Sequence, residues 1–206
     1  MGRSYQPIRV TSVLDFVESK WKEFWWRKVG FEAADKVSRE SSEFGSKVHK
    51  LVEGVLKDEL KLSIESELPE DQCAIEIILW LDKNNVKPLF ETYAKSLEIE
   101  VKDEELGLIG HFDMAAEING KPYIVDFKTS NKMRKSFPLQ KAAYAKMANK
   151  MFGVKIDDGV TLRSHWDKEK QTVEFEEKFY TNLIKKYWVK FKACLDIFKY
   201  FTRAED

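Results

Sequence analysis

The chain has 206 residues, enough for one domain with a sizeable core. Apolar residues make up 43% and aromatics 13%, which excludes a disordered chain, and no apolar run approaches the ~18 residues of a membrane span. The 35 basic and 35 acidic residues cancel, so overall charge gives no support to nucleic-acid binding, and any such surface must be a local basic patch. Cys73 and Cys194 lie far apart and lack ligand-like spacing, which leaves a disulfide framework, a zinc site and an iron–sulfur cluster unsupported. Two reduced, buried thiols in a cytosol-like compartment are expected. The first residues also lack the charged-then-apolar layout of a secretory signal.

In chain order, residues 11–29 read as a helix capped at Thr11 or Ser12 and rich in aromatics, among them Phe16, Trp21, Phe24, Trp25 and Trp26. A second helix is predicted over 41–62, with an apolar stripe of Val48, Leu51, Val52, Val55 and Leu56. A third covers 70–83 and ends at Asn84-Asn85, and a short one starts at Pro88. Leu97 to Lys102 alternates like a strand, and 108–128 reads as a hairpin. A helix follows from Leu139 to Met151, ended by Gly153. Val160–Trp166 and Thr172–Phe175 read as strands, and 176–202 as a long helix whose stripe includes Phe179, Leu183, Tyr187 and Phe191. Helices, a meander, a helix, strands and a helix predict an α/β layer fold with a small mixed sheet.

The hairpin carries the chemistry. Asn119-Gly120 between alternating segments signals a two-residue turn, which sets Ile118 opposite Lys121 and Asp113 opposite Asp126. Facing carboxylates have Cβ atoms about 5 Å apart and repel, and a divalent cation between them removes the penalty and supplies a Lewis acid. Lys128 projects from the face of Asp126, two residues on, where an ammonium can orient the attacking water and stabilise a pentacovalent phosphate. Asp113 and Asp126 are therefore expected to bind Mg²⁺ or Mn²⁺, with the Phe127 carbonyl as a further ligand. The alternative is an exposed sheet face with solvated charges. The flanking Phe112, Met114, Val125 and Phe127 argue against it by committing the other face to the core.

Other candidates keep two readings. His49 is either a packing residue or a ligand, and Glu98 and Glu100 either complete an acidic site or are solvated. Gln140 and Tyr144 share a helix face that either holds a phosphate or base or is ordinary amphipathic surface. The basic, polar run from Lys128 through Thr129, Ser130, Lys132 and Arg134 is either a phosphate-backbone entry or a solvated loop. Trp21, Trp25 and Trp26 either stack bases or fill a core. His111 would face Lys128 across the hairpin.

Together these residues resemble the PD-(D/E)XK nuclease superfamily, in the RecB-like branch that includes phage exonucleases and the mitochondrial genome maintenance exonuclease. Gly45 to His49 matches its Gly-x-x-x-His motif, and Glu98 stands twelve residues before Gly110, where the family often has a glutamate. Gly110-His111-Phe112-Asp113 matches Gly-x-x-Asp, Asp126 to Ser130 matches Asp-x-Lys-Thr-Ser, and Gln140 to Tyr144 matches Gln-x-x-x-Tyr. Val10 to Leu14 is similar to the branch's Ser-Val-Thr segment, although Arg9-Val10 replaces the usual Pro-Ser start.

The resemblance implies a restriction-endonuclease-like core in a single domain over 1–206, mainly helical over 1–85 and with the sheet core and C-terminal helices over 86–206. It makes His49 a metal ligand and Gln140 and Tyr144 site residues. It implies a cytoplasmic, Mg²⁺- or Mn²⁺-dependent DNA exonuclease preferring single-stranded ends, acting in replication, recombination or repair. Any helicase would be a separate partner, and the small size fits a phage enzyme. With only two cysteines, the iron–sulfur cluster of some members is not expected. A structure-specific or single-strand endonuclease of the same fold, a non-catalytic DNA-binding accessory protein, and an RNA substrate remain alternatives.

Overall fold

A computed structural model describes residues 6–202, without the side chains of residues 20–22, so the Trp21 indole lies outside the described residues. Strand β1 (Ile8–Arg9) leads into helices α1 (Val10–Val17), α2 (Ser19–Val29), α3 (Phe31–Leu56) and α4 (Pro69–Lys83). Strand β2 (Lys87–Pro88) and the short helix α5 (Tyr93–Ser96) precede strands β3 (Leu97–Asp103), β4 (Leu108–Ile118) and β5 (Lys121–Lys128). Helix α6 (Phe137–Phe152), strands β6 (Asp158–Asp167) and β7 (Thr172–Tyr180), a π-helical turn (Ile184–Trp188) and helix α7 (Val189–Thr202) complete the chain. The result is a mixed sheet flanked by helices, as the element order predicted.

Four of the predicted elements differ from expectation. The first predicted helix breaks at Glu18 into α1 and α2. The second begins ten residues early, at Phe31, because Gly30 takes φ 87° and restarts the chain there. It ends at Leu56, where the Gly54 carbonyl accepts from the Glu59 and Leu60 amides. Pro88 opens no helix: it sits in β2 against Ala116, a short edge strand that tolerates the missing N–H. Residues 176–180 extend β7, with Phe179 opposite Val160. The four-residue spacing of Phe175 and Phe179 satisfies both the helical and the strand period, so periodicity alone does not separate them.

Strand β4 is the hub of the sheet. On one edge it pairs antiparallel with β3 (Leu97↔Met114 to Asp103↔Leu108) and with β2. On the other edge β1 takes Leu108 and Ile109, and β5 takes Met114 to Ile118. Residues 110–113 fall in the gap between those two neighbours. Beyond β5 the sheet continues through parallel β6, reached by the α6 crossover, to antiparallel β7. One apolar layer joins α1, α6 and α7 to the sheet through Val13, Phe112, Ile124, Ala142 and Leu195. The other joins α3 and α4 through Val48, Val52, Ile77, Met114, Val125 and Phe127. Burying each such large side chain contributes about 1.5–3 kcal/mol, which holds the helices on both faces and fixes where their polar residues emerge.

Candidate metal centre

Asn119 (φ 52°) and Gly120 (φ 75°) both adopt left-handed conformations, as a mirror-image two-residue turn requires. Ile118 pairs with Lys121, and the ladder keeps the predicted register as far as Met114↔Val125. There it stops. The Phe127 amide donates to Asp113 Oδ2 at 2.6 Å, so a carboxylate takes the place of a strand carbonyl. On the other edge, Leu97↔Met114 and Ile99↔Phe112 flank the level of Glu98 and Asp113. Leu97 and Met114 belong to the α3–α4 layer, whereas Ile99 and Phe112 belong to the α6 layer. Residues two apart in a strand ordinarily share a face, so the ribbon rolls over here, and Glu98 carries the turn at φ 49°.

Helix α3 brings His49 to this crossing. One turn earlier, a Cβ on Gly45 would lie 3.0 Å from Thr129 Oγ1, so glycine lets the helix approach the end of β5. His49 Nδ1 is 3.4 Å from Asp113 Oδ1, and its ring meets Phe127 edge-on at 5.9 Å between centroids. One ligand atom each from His49, Glu98 and Asp113 lies within 4.8 Å of the others. One imidazole nitrogen and two carboxylates suit a hard or borderline divalent cation.

The electrostatics agree with that fit. Burial pushes the Asp113 carboxyl up, but His49, Lys128 and the Phe127 amide outweigh it and hold it well below the usual carboxylate range. Burial pulls the His49 imidazolium down, and Asp113 more than reverses this, so its pKa is raised. Partial desolvation and then the Asp113 charge raise the Glu98 carboxyl, against the opposing pull of His49.

Asp126 does not face Asp113 in the way the register implied. Because the ladder ends one pair short, Asp126 turns into the α6 layer, with Oδ1 2.5 Å from Lys128 Nζ and Oδ2 2.9 Å from Lys141 Nζ. It lies outside the group of three ligand residues. Lys141 is fully buried, donates to Thr161 Oγ1 at 2.5 Å, and lies over the Phe137 and Tyr180 rings. Burial lowers its pKa to about 8. Burial also pulls Lys128 down, but Asp126 and Asp113 outweigh it and raise its pKa. Sequence reasoning missed Lys141. Its signal was a lysine within the apolar stripe of Phe137, Tyr144, Ala145 and Ala148 on α6.

Lys128, Thr129, Ser130 and Arg134 line a groove of about 850 Å³ together with His49 and Phe127. Thr129 also presents its carbonyl to His165 Nδ1 at 3.0 Å, and Arg134 pairs with Glu18 at 3.3 Å. Trp25 lines this groove, as does Trp166, which sequence reasoning did not single out. Lys132 is exposed outside its walls, and Trp26 packs edge-on against Phe31.

Tyr144 is buried. It accepts from Gln140 Nε2 at 3.0 Å and packs on Phe112, and its ring lies over Gly110 so closely that a Cβ there would overlap it. The glycine of one motif thus makes room for the tyrosine of another. His111 does not approach Lys128. It pairs across β3 with Glu100, Nε2 to Oε2 3.1 Å, on the exposed side, because β5 never reaches that part of β4. Cys73 is buried and Cys194 half-buried, and both are free. No helix among the described residues is long and apolar enough to cross a membrane.

A nitrogen and two carboxylates at a strand crossing, with the half-buried Lys128 near them, define a candidate acidic cation centre whose histidine lines a groove. No family model matches the sequence. The chain is 27% identical over 191 residues to mitochondrial genome maintenance exonuclease 1 of Mus musculus, a match covering 88% of this chain and 53% of that protein. It thus spans about half the length of the curated relative it matches. A solved structure described as the crystal structure of SSO0001 aligns with 97% of this chain and 79% of that one, at 14% identity and a TM-score of 0.44.

Proposed function

We propose that this chain is a Mg²⁺- or Mn²⁺-dependent DNA exonuclease of the PD-(D/E)XK type, in its RecB-like branch, formed as one nuclease domain and preferring single-stranded ends. The observation that carries this reading is the convergence of His49, Glu98 and Asp113 within 4.8 Å, with His49 also lining a groove that Lys128 lines. The similarity to a genome maintenance exonuclease agrees with it. His49, Glu98 and Asp113 would hold the cation, with Asp126 and the Phe127 carbonyl as further proposed ligands. When bound, the cation supplies Lewis acidity toward the phosphoryl oxygen and lowers the pKa of water. Asp113 is fixed by the Phe127 amide and stays ionised. Lys128, an ammonium held against Asp126, offsets the charge that develops on the phosphate and orients the attacking water. Thr129, Ser130 and Arg134 would hold the neighbouring backbone. Gln140 and Tyr144 act by packing under β4.

The test is digestion of end-labelled single- and double-stranded DNA with Mg²⁺, with Mn²⁺ and with chelator. Metal-dependent release of nucleotides from single-stranded ends is expected, with circular single strands left intact. Asp113→Ala and Lys128→Ala should each lower the rate at least about 100-fold while the protein stays folded. Cleavage unaffected by either substitution, or no product with either metal, rejects the reading.

A further inference from the structure

The groove beside the centre holds more than phosphate-binding groups. Trp25 reaches it from α2 and Trp166 from the end of β6, and both indoles are half-buried. Trp166 also packs against the α3–α4 apolar layer, so its position is fixed by the core. Lys128 pairs with Arg163, which puts Trp166 three residues further along β6, about 10 Å beyond the level of Lys128. Next to it, His165 donates from Nδ1 to the Thr129 carbonyl at 3.0 Å, which leaves Nε2 as the ring nitrogen without that partner. Lys128 and Arg134 also line the groove, each with an acid partner, Asp126 and Glu18, and of its lining acids Asp167 and Glu169 the first is 2.9 Å from Lys170.

An indole held by the core, a second indole, an imidazole and flanking cations suit one ligand chemistry, a nucleotide whose base is unstacked and unpaired. In a duplex the faces of the bases are covered by their neighbours, so indoles find nothing to stack on. We propose that this groove is a nucleobase-stacking subsite for the single strand next to the scissile phosphate, with Trp166 and Trp25 as its plates. The inference rests on the nucleic-acid reading above and adds that bases, as well as phosphates, contribute to binding.

The test compares binding of a short thymidine oligonucleotide with that of an abasic phosphodiester of equal length, in Ca²⁺ to prevent turnover. Both carry the same charge, so their affinity ratio isolates the bases. The parent protein should prefer the base-containing strand by about 5- to 150-fold for each stacked base. Trp166→Ala should lower the ratio by the factor of one stacked base, about 5- to 150-fold, while leaving abasic binding unchanged, and Trp166→Phe should retain most of it. If circular dichroism shows that Trp166→Ala is unfolded, Trp25→Ala decides by the same criterion. A parent ratio near one, or a ratio retained in the folded alanine variant, overturns the proposal. A base-dependent ratio in a protein that cleaves no DNA would remove the nuclease reading and leave the subsite standing.

Discussion

Replacing Gly110 with alanine tests whether the Gly-x-x-Asp and Gln-x-x-x-Tyr segments are one packing unit. The new Cβ would overlap Tyr144 Cε1, with Tyr144 Cδ1 at 3.1 Å and Val10 Cγ2 at 3.4 Å. Carbon atoms prefer about 3.5–4.0 Å. The ring cannot step aside, since Tyr144 is 2% exposed, packs 5.8 Å from Phe112 and is tied to Gln140, while Val10 behind the site is fully buried. Overpacking of this kind costs about 1–3 kcal/mol or more. We expect Gly110→Ala to reach about 3 kcal/mol, which for a chain of this size lowers the melting temperature by about 6–12 °C. Tyr144→Ala alone should cost about 3–5 kcal/mol through its cavity. In the double variant the methyl occupies part of that cavity, so its cost should fall short of the sum by about 2–3 kcal/mol. Urea unfolding followed by circular dichroism measures all three. A Gly110→Ala variant within about 0.5 kcal/mol of the parent, or strict additivity, would refute the reasoning.

Two further outcomes follow from the buried charges. In chelator, the His49 imidazole should titrate above its ordinary value of 6.5, because Asp113 favours its charged form. Its stabilisation is then complete below pH 6.5 and lost as pH rises through the raised folded value, a slope that His49→Gln should remove. An NMR midpoint below 6.5 contradicts this. Lys141→Met should cost less than the ~3–5 kcal/mol of an orphaned buried charge, because Lys128 still neutralises Asp126. Adding Lys128→Met leaves Asp126 without a cation and should cost more than the two changes summed, and additive denaturation midpoints would sink this account.

The hairpin register was legible because it is local: Asn119 and Gly120 fix the turn, and the turn fixes every pair that follows. The end of the ladder was not, because it depends on a side chain, Asp113, competing with the backbone for the Phe127 amide. The facing of Asp113 and Asp126 failed for that reason, and the expected approach of His111 to Lys128 failed with it. His49 was ambiguous on its helix because its partner lies 64 positions away on another element. Lys141 was overlooked because a helical lysine ordinarily reads as solvated, and only the tertiary approach of Asp126 and Thr161 explains its burial. The start of α3 lay in Gly30, whose permissive backbone marks either a break or a restart until packing decides.

The half-turn of the β3–β4 ribbon at Glu98 gives the acids a seam of their own. Glu98 and Asp113 stand where the two strands trade faces, between the two oily layers, whereas Asp126 enters one of them only with Lys141 as its partner. Repacking on either side can therefore vary without displacing the centre. One residue inserted beside Glu98 or Asp113 would shift the seam's phase and carry an acid into the hydrocarbon interior.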